Sequence, residues 1–326
     1  MIRVGIVGYG NVGRGAESAV LHCEDMVLSG IFTRRSPETF HALREDTPIF
    51  PMTRLEERKE DLDVLLLCGG SATDLPVQTP ELARLFCVVD TFDTHARIPE
   101  HFGKVDAAAK EGNNVAIIST GWDPGLFSMM RLLGTSILLE GAGDTFWGPG
   151  VSQGHSDAVR RVEGVADARQ YTIPVQRTVN AVRKGESGFT AREKHTREVY
   201  VVLQEGADPQ QIAQKIITMP NYFDEYDTTV HFISADEMKA EHSAMPHGGF
   251  VIRHGQLGEK MQYSSLMEFK LELDSNPMFT GAVMAAFGRA CCRLREQGKA
   301  GCFTAFDVPL GLLSPLSAEE LRSKLL

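Results

Sequence analysis

Apolar residues fall in short unbroken runs through the first third of the chain: Ile2–Val7, Val27–Phe32, Val64–Cys68, Val88–Thr91 and Val115–Ser119. Runs of this kind, without polar alternation, predict strands of a parallel sheet covered on both faces. Stretches with helical spacing lie between them, among them Val12–His22 and Pro99–Glu111. The alternation of strand and helix predicts an α/β, doubly wound parallel sheet of the Rossmann type. After Gly121 the texture changes. Longer segments alternate apolar and polar positions, at Gln170–Pro174, Glu198–Leu203, Thr228–Ile233 and Met261–Leu273. This half is expected to be an α+β domain with a largely antiparallel or mixed sheet. Helices are predicted over Pro209–Thr218, with Asp208 as N-cap and proline at the first helical position, and over Met278–Gln297. A last helix is expected in Ser317–Leu326, where Ser317-Ala-Glu-Glu fits a capping box. The pattern divides the chain into a first domain over 1–120, with 300–326 packing back on it, and a second over 121–299.

Composition narrows the class of partner. At 43% hydrophobic and 23% charged residues in 326, the chain has the balance of an ordinary folded protein, long enough for two cores. A net charge of −10 argues against nucleic acid as a partner of the whole molecule. No run approaches the roughly 18 apolar residues needed to span a bilayer, so no membrane partner is expected. The chain opens directly on strand sequence, and no signal peptide is expected. The six cysteines, Cys23, Cys68, Cys87, Cys291, Cys292 and Cys302, include no C-x-x-C pair. Neither a metal site nor a disulfide framework is expected, which suits the reducing cytoplasm.

Candidate chemistry begins at Gly8-Tyr-Gly10-Asn-Val-Gly13, a G-x-G-x-x-G that follows a predicted strand and opens a predicted helix. In that context Gly8 permits the tight turn and Gly10 lets backbone approach a pyrophosphate. Gly13 lets helix and strand pack closely. The helix N-terminus then offers N–H groups and partial positive charge to phosphate. A site preferring NAD would place Asp or Glu at the end of the second strand. Here stand Thr33, Arg34 and Arg35, and an arginine fork grips phosphate. The cofactor expected is therefore NADP, the alternative being that the arginines are a solvated turn. Two further loops sit at strand ends, Cys68-Gly-Gly-Ser-Ala-Thr-Asp74 and Asp90-Thr-Phe-Asp-Thr-His95, where ligands bind in open α/β sheets, the alternative being ordinary βα turns. The contacts expected for the cofactor are Tyr9, Gly10, Asn11, Val12, Thr33, Arg34, Arg35, Gly69, Gly70, Ser71, Ala72, Asp90, Thr91 and Phe92.

Taken in chain order, these motifs are joined by Ser119-Thr-Gly-Trp-Asp-Pro-Gly125, Phe146-Trp-Gly-Pro-Gly150, Ser152-Gln-Gly-His-Ser-Asp157 and Met245-Pro-His-Gly-Gly249. Together they resemble the meso-diaminopimelate D-dehydrogenases, from Ile2 to about Pro315. The resemblance implies a homodimer that oxidatively deaminates the D-centre of meso-2,6-diaminopimelate with NADP. The products would be L-2-amino-6-oxopimelate, which cyclises to tetrahydrodipicolinate, and ammonium. The reverse direction would serve lysine biosynthesis.

Within that resemblance Asp93 and Asp123, each after a predicted strand, are expected at the D-centre amine, where a carboxylate can hold the nitrogen and help move its proton. Asp90 competes for the role of base, or caps the next turn. His155 is a further proton-transfer candidate or a structural histidine. Trp122 and Trp147 are expected to line the pocket from exposed loops, the alternative being core packing, with Gln153 and Gly154 adding polar and backbone contacts. For the distal L-centre the resemblance picks Thr172, Arg197, His247 and Asn276. An arginine can hold the distal carboxylate with two bonds while His, Thr and Asn orient it. His247 is expected in a loop, and Asn276 has an alternative as an N-cap. The rivals are another two-domain NADP reductase of amino-acid synthesis, such as a dihydrodipicolinate reductase or homoserine dehydrogenase relative, and a non-catalytic NADP-binding sensor.

Overall fold

A computed structural model describes residues 1–36 and 39–326. The chain divides into two compact units, Met1–Met129 with Pro277–Leu326, and Met130–Asn276. In the first unit the apolar runs become β1 (Ile2–Val7), β2 (Met26–Thr33), β3 (Ile49–Pro51), β4 (Val64–Leu67), β5 (Val88–Asp90) and β6 (Val115–Ile117). Helices α1 (Asn11–Leu21), α2 (Leu75–Ala83) and α3 (Ile98–Glu111) connect them, and α4 (Phe127–Ile137) carries the chain onward.

The second unit begins with β7 (Gly141–Trp147), β8 (Gly150–Val151), α5 (Gln153–Arg160) and β9 (Val165–Pro174). There follow α6 (Gln176–Arg183), α7 (Ala191–Lys194), β10 (His195–Leu203), α8 (Pro209–Ile217), β11 (Asp227–Phe232), α9 (Ala235–Glu241), β12 (His247–Leu257) and β13 (Tyr263–Leu273). The chain then returns through α10 (Asn276–Glu296), β14 (Gly301–Phe303) and α11 (Ala318–Leu325).

The first unit's sheet has the order β14-β6-β5-β4-β1-β2-β3, with every pair parallel. Val4, Ile6, Leu66, Val89 and Ile117 are wholly buried on one face, and Val7, Leu65, Leu67 and Val88 belong to a second core cluster. Burial of each such side chain is worth about 1.5–3 kcal/mol, which is why the strands read as unbroken apolar runs. The return to this unit comes at Pro277, earlier than the boundary at 300 expected from sequence. The cause is α10: its Met284, Phe287, Ala290, Cys291 and Leu294 join the same core as Val4 and Ile6. Gly15 of α1 and Gly281 of α10 meet backbone to backbone, and a Cβ on Gly281 would stand 2.1 Å from the Gly15 carbonyl carbon.

The second unit holds two sheets where one was expected. The first has the order β11-β10-β9-β8, mixed, with β10 parallel to β11 and antiparallel to β9. The second, β13-β12-β7, is antiparallel. Strands β7 and β12 were not anticipated, since β7 opens on Gly141-Ala-Gly143 and β12 buries residues of both parities. Strand β13 starts at Tyr263 rather than Met261, because Met261 has φ 51° in the turn and donates its N–H to Gly258. The capping predictions match the structure: Asp208 accepts from Gln210 N–H at 2.9 Å, and Ser317 and Glu320 form a capping box.

Candidate functional site

The loops that carry candidate residues in the first unit all leave the carboxyl edge of the parallel sheet. Gly8–Gly10 follows β1, Arg34 and Arg35 follow β2, Cys68–Asp74 follows β4, Asp93 follows β5 and Asp123 follows β6. In such a sheet this edge is where ligands bind. A Cβ on Gly13 would lie 2.4 Å from the Gly8 carbonyl oxygen, so only glycine lets α1 start so close to β1. A Cβ on Gly10 would meet nothing within 4 Å, so the backbone there is open to a ligand. No side chain caps α1 and no acidic residue stands in its first turn. The end is thus built to take an anion.

A cavity of about 300 Å³ opens here. Tyr9, Gly10, Thr33, Arg34, Arg35, Gly69 and Gly70 line it, together with Asp74, the last residue of the loop after β4, and Gln78, which lies outside the sequence motifs. Asn11, Val12, Ser71, Ala72, Asp90, Thr91 and Phe92 are not among the lining residues. Arg34 reaches Asp74 at 2.6 Å, and Asp74 also accepts the Gly70 N–H at 2.8 Å. Both contacts hold the Asp74 carboxyl below its usual range, the backbone N–H first. Arg35 donates to the Tyr9 carbonyl and lies 4.7 Å over the Phe40 ring.

Asp90 has a different place from the one expected. Its carboxylate is fully buried and accepts from Thr79 Oγ1 (2.8 Å), His101 Nε2 (2.7 Å), Phe92 N–H (3.1 Å) and Ser119 N–H (2.8 Å). With its acceptor sites taken, it ties together the turns that precede Asp93 and Asp123. Ser119 itself has φ 57°, a strained conformation for a non-glycine residue. The Phe92 ring is likewise core, stacked on His101 at 4.1 Å. Asp93 is exposed, with its N–H on Ser71 Oγ at 2.9 Å, and Asp123 is half-buried. Trp122, expected in an exposed loop, is 7% exposed and packs edge-on against Phe127.

In the second unit, Thr172 on β9 and Arg197 on β10 are register partners. Both are buried, at 4% and 6% exposure, and Arg197 Nη1 donates to Thr172 Oγ1. The guanidinium lies 3.9 Å over the Tyr226 ring, while Arg197 Nε is buried with no hydrogen-bond partner. Among the described residues no carboxylate pairs with it. Burial lowers the Arg197 pKa from its usual value. Gln170, wholly buried nearby, has an unpartnered Oε1.

Three histidines feel the Arg197 charge. Burial first, then that charge, holds His155 down at about 4 and His195 at about 3. His247 also sits at about 4, through burial opposed by the Gly248 backbone contact. His247 is the first residue of β12, where a loop was expected, and its Nδ1 accepts the Gly248 N–H at 2.8 Å. His195 Nε2 accepts the Trp147 N–H at 3.0 Å, and Trp147 is 36% exposed at the end of β7. His155 meets Ser152 Oγ at 2.7 Å on α5, whose first residues, Gln153 and Gly154, are exposed. Asn276 opens α10, with its N–H on the Met245 carbonyl at 3.0 Å. His195, Tyr226 and Gln170 were missed from sequence. Arg197 stands between Thr196 and Glu198 near the start of β10, so local spacing gives no signal for this cluster.

A parallel sheet with a glycine-lined dinucleotide cavity, joined to an α+β unit holding a buried, uncompensated arginine, defines a two-unit nicotinamide-dependent dehydrogenase. Residues 121–275 match the family model described as diaminopimelic acid dehydrogenase C-terminal domain. The chain belongs to the meso-diaminopimelate D-dehydrogenase family, an oxidoreductase family. It is 56% identical over 326 residues to the meso-diaminopimelate D-dehydrogenase of Ureibacillus thermosphaericus, covering 100% of this chain and 99% of that protein. It also resembles the solved C. glutamicum DAP dehydrogenase in complex with DAP, with a TM-score of 0.93, 44% identity, and coverage of 100% and 99%. An engineered D-amino acid dehydrogenase bound to NADP+ matches with a TM-score of 0.88, 43% identity, and coverage of 100% and 99%.

Proposed function

We propose that this chain catalyses the reversible NADP-dependent oxidative deamination of the D-centre of meso-2,6-diaminopimelate, giving L-2-amino-6-oxopimelate and ammonium, in lysine biosynthesis. The observation that carries the substrate assignment is Arg197. A buried guanidinium without a counter-charge is costly. Its Nε lacks a partner, and the chain offers it no carboxylate among the described residues. A carboxylate brought by the ligand would satisfy both needs with two parallel bonds. Thr172, His247 and Asn276 would orient that distal carboxylate and its neighbouring amine, with Trp147, Gln153 and Gly154 beside them.

At the reacting centre, Asp93 and Asp123 come from the ends of paired parallel strands β5 and β6. One carboxylate would hold the ammonium and take its proton, leaving a neutral nitrogen, and Trp122 would wall the site. Bound nicotinamide would supply the acceptor for the hydride that leaves the D-centre Cα; water adding to the resulting imine carbon would then bring the oxo oxygen as the nitrogen departs as ammonium. Gly10, Asn11 and Val12 would hold the pyrophosphate, and Thr33, Arg34 and Arg35 the 2′-phosphate. Tyr9, the turn Gly69-Gly-Ser-Ala72 and the backbone of the turn Asp90-Thr-Phe92 would complete that cradle. A working homodimer in the cytoplasm is part of the proposal. The exposed Tyr263 and Leu266 on edge strand β13 support the first. Six free thiols fit a reducing compartment. No helix among the described residues is long and apolar enough to cross a membrane.

The test is Arg197→Lys, which keeps the charge but loses the fork. We expect kcat/KM for meso-diaminopimelate to fall about a hundredfold or more, with NADP affinity unchanged. An unchanged kcat/KM would refute the assignment.

A further inference from the structure

Glu17 is a carboxylate with no solvent exposure, on α1 behind the glycine turn. All its contacts come from donors. Oε2 accepts the Tyr9 hydroxyl and the Leu43 N–H at 3.0 Å, and Oε1 accepts Thr47 Oγ1 at 2.9 Å and the Arg44 N–H at 3.4 Å. Among the described residues no cation forms an ion pair with it. As packing alone, an apolar residue would be cheaper at such a position.

What Glu17 fastens is the surroundings of one arginine. The Tyr9 ring rests on Phe40, with centroids 5.0 Å apart. Arg35 donates to the Tyr9 carbonyl and lies over that same Phe40 ring. Tyr9 is held directly by Glu17, and the segment that follows Phe40 is held through Leu43, Arg44 and Thr47. Both surfaces against which Arg35 rests therefore trace back to a single buried side chain. Tyr9 and Arg35 line the dinucleotide cavity and Glu17 does not.

We infer that Glu17 is a positioning residue for cofactor discrimination, fixing the Arg35 guanidinium where a ribose 2′-phosphate is read. This rests on the assignment of Arg34 and Arg35 to that phosphate. A dinucleotide without the phosphate makes no use of Arg35, so the two cofactors respond differently when Glu17 is altered. A role confined to stability would move both together.

The experiment measures kcat and KM for NADP+ and NAD+ at saturating meso-diaminopimelate, with thermal unfolding alongside. Glu17→Gln keeps the size of the side chain but turns an amide N–H toward donors. We expect it to raise KM for NADP+ about tenfold, and to leave KM for NAD+ and kcat with NADP+ within about twofold. Thr47→Val removes one donor and should shift the same ratio about threefold in the same direction. It carries the test if Glu17→Gln does not fold. Equal changes with the two cofactors, or none, would overturn the assignment of Glu17. The double variant Arg34→Ala with Arg35→Ala separates the premise from the inference. If that variant keeps the wild-type preference, the arginines do not read the phosphate. If it loses the preference while Glu17→Gln and Thr47→Val keep it, the role of Glu17 alone is refuted.

Discussion

In the first unit the candidate site is made largely of backbone and glycine at the edge of a parallel sheet, while in the second it is made of side chains standing on the strands themselves. The first needs Gly13 against the Gly8 carbonyl and an uncapped helix start. The second needs a buried cation, Arg197, with Thr172 beside it and Tyr226 beneath it. The difference teaches where specificity is stored. A backbone cradle accepts any dinucleotide phosphate, and in the proposed function its preference would be added by a few side chains at the rim, Arg34 and Arg35. A desolvated arginine demands one kind of partner from the start.

The comparison can be broken at several points. The largest effect is expected at the reacting centre. Asp123→Ala should lower kcat for meso-diaminopimelate by about a thousandfold, within the range for a positioned acid–base group, and leave the Kd for NADP+ unchanged. Full residual activity in a stopped-flow or steady-state assay would remove Asp123 from the mechanism. Next comes the rim of the first unit. Arg34→Ala with Arg35→Ala should reduce the preference for NADP+ over NAD+ by about a hundredfold, through KM for NADP+. Equal kcat/KM for both cofactors in the wild type would refute the premise.

The smallest effect concerns stability of the second unit. His155, His195 and His247 are held neutral in the fold, at about 4, 3 and 4. In the unfolded chain each takes a proton near pH 6.5. Between about 6.5 and 4 the unfolded state therefore binds more protons, and stability falls as pH falls through that window. Protonation of His195 would also cost the bond it accepts from Trp147. Tm should drop by about 5 °C between pH 7.5 and 5.5. His195→Gln should reduce that drop, and an identical drop in the variant would contradict the assignment.

The contrast between the units also explains what could be read from sequence. The parallel sheet was legible because doubly covered strands leave apolar runs, and the glycine turn because close backbone approach permits one residue type. The second unit was less so. Strand β12 buries residues of both parities and begins with His247-Gly-Gly, which reads as a loop. Trp122 between Gly121 and Asp123 reads as exposed, yet it is core against Phe127. Asp90 looked like a site carboxylate, and only its four donors reveal it as a clamp on neighbouring turns. Tyr226 and Gln170 gather around Arg197 by sheet register and packing across the unit, which no local spacing records. Thr172 and Arg197 were named from family resemblance, since in their strands they are unremarkable.

The central claim is stereospecific, phosphate-dependent oxidation at one carbon. Its most direct measurement is the initial rate of reduced-nicotinamide absorbance with NADP+ and the separate meso, L,L and D,D isomers of diaminopimelate, repeated with NAD+. Rapid absorbance growth with the meso isomer and NADP+, and little with the L,L isomer or with NAD+, is the expected result. Comparable rates for meso and L,L isomers, or no reduction of NADP+ by the meso isomer, would contradict it.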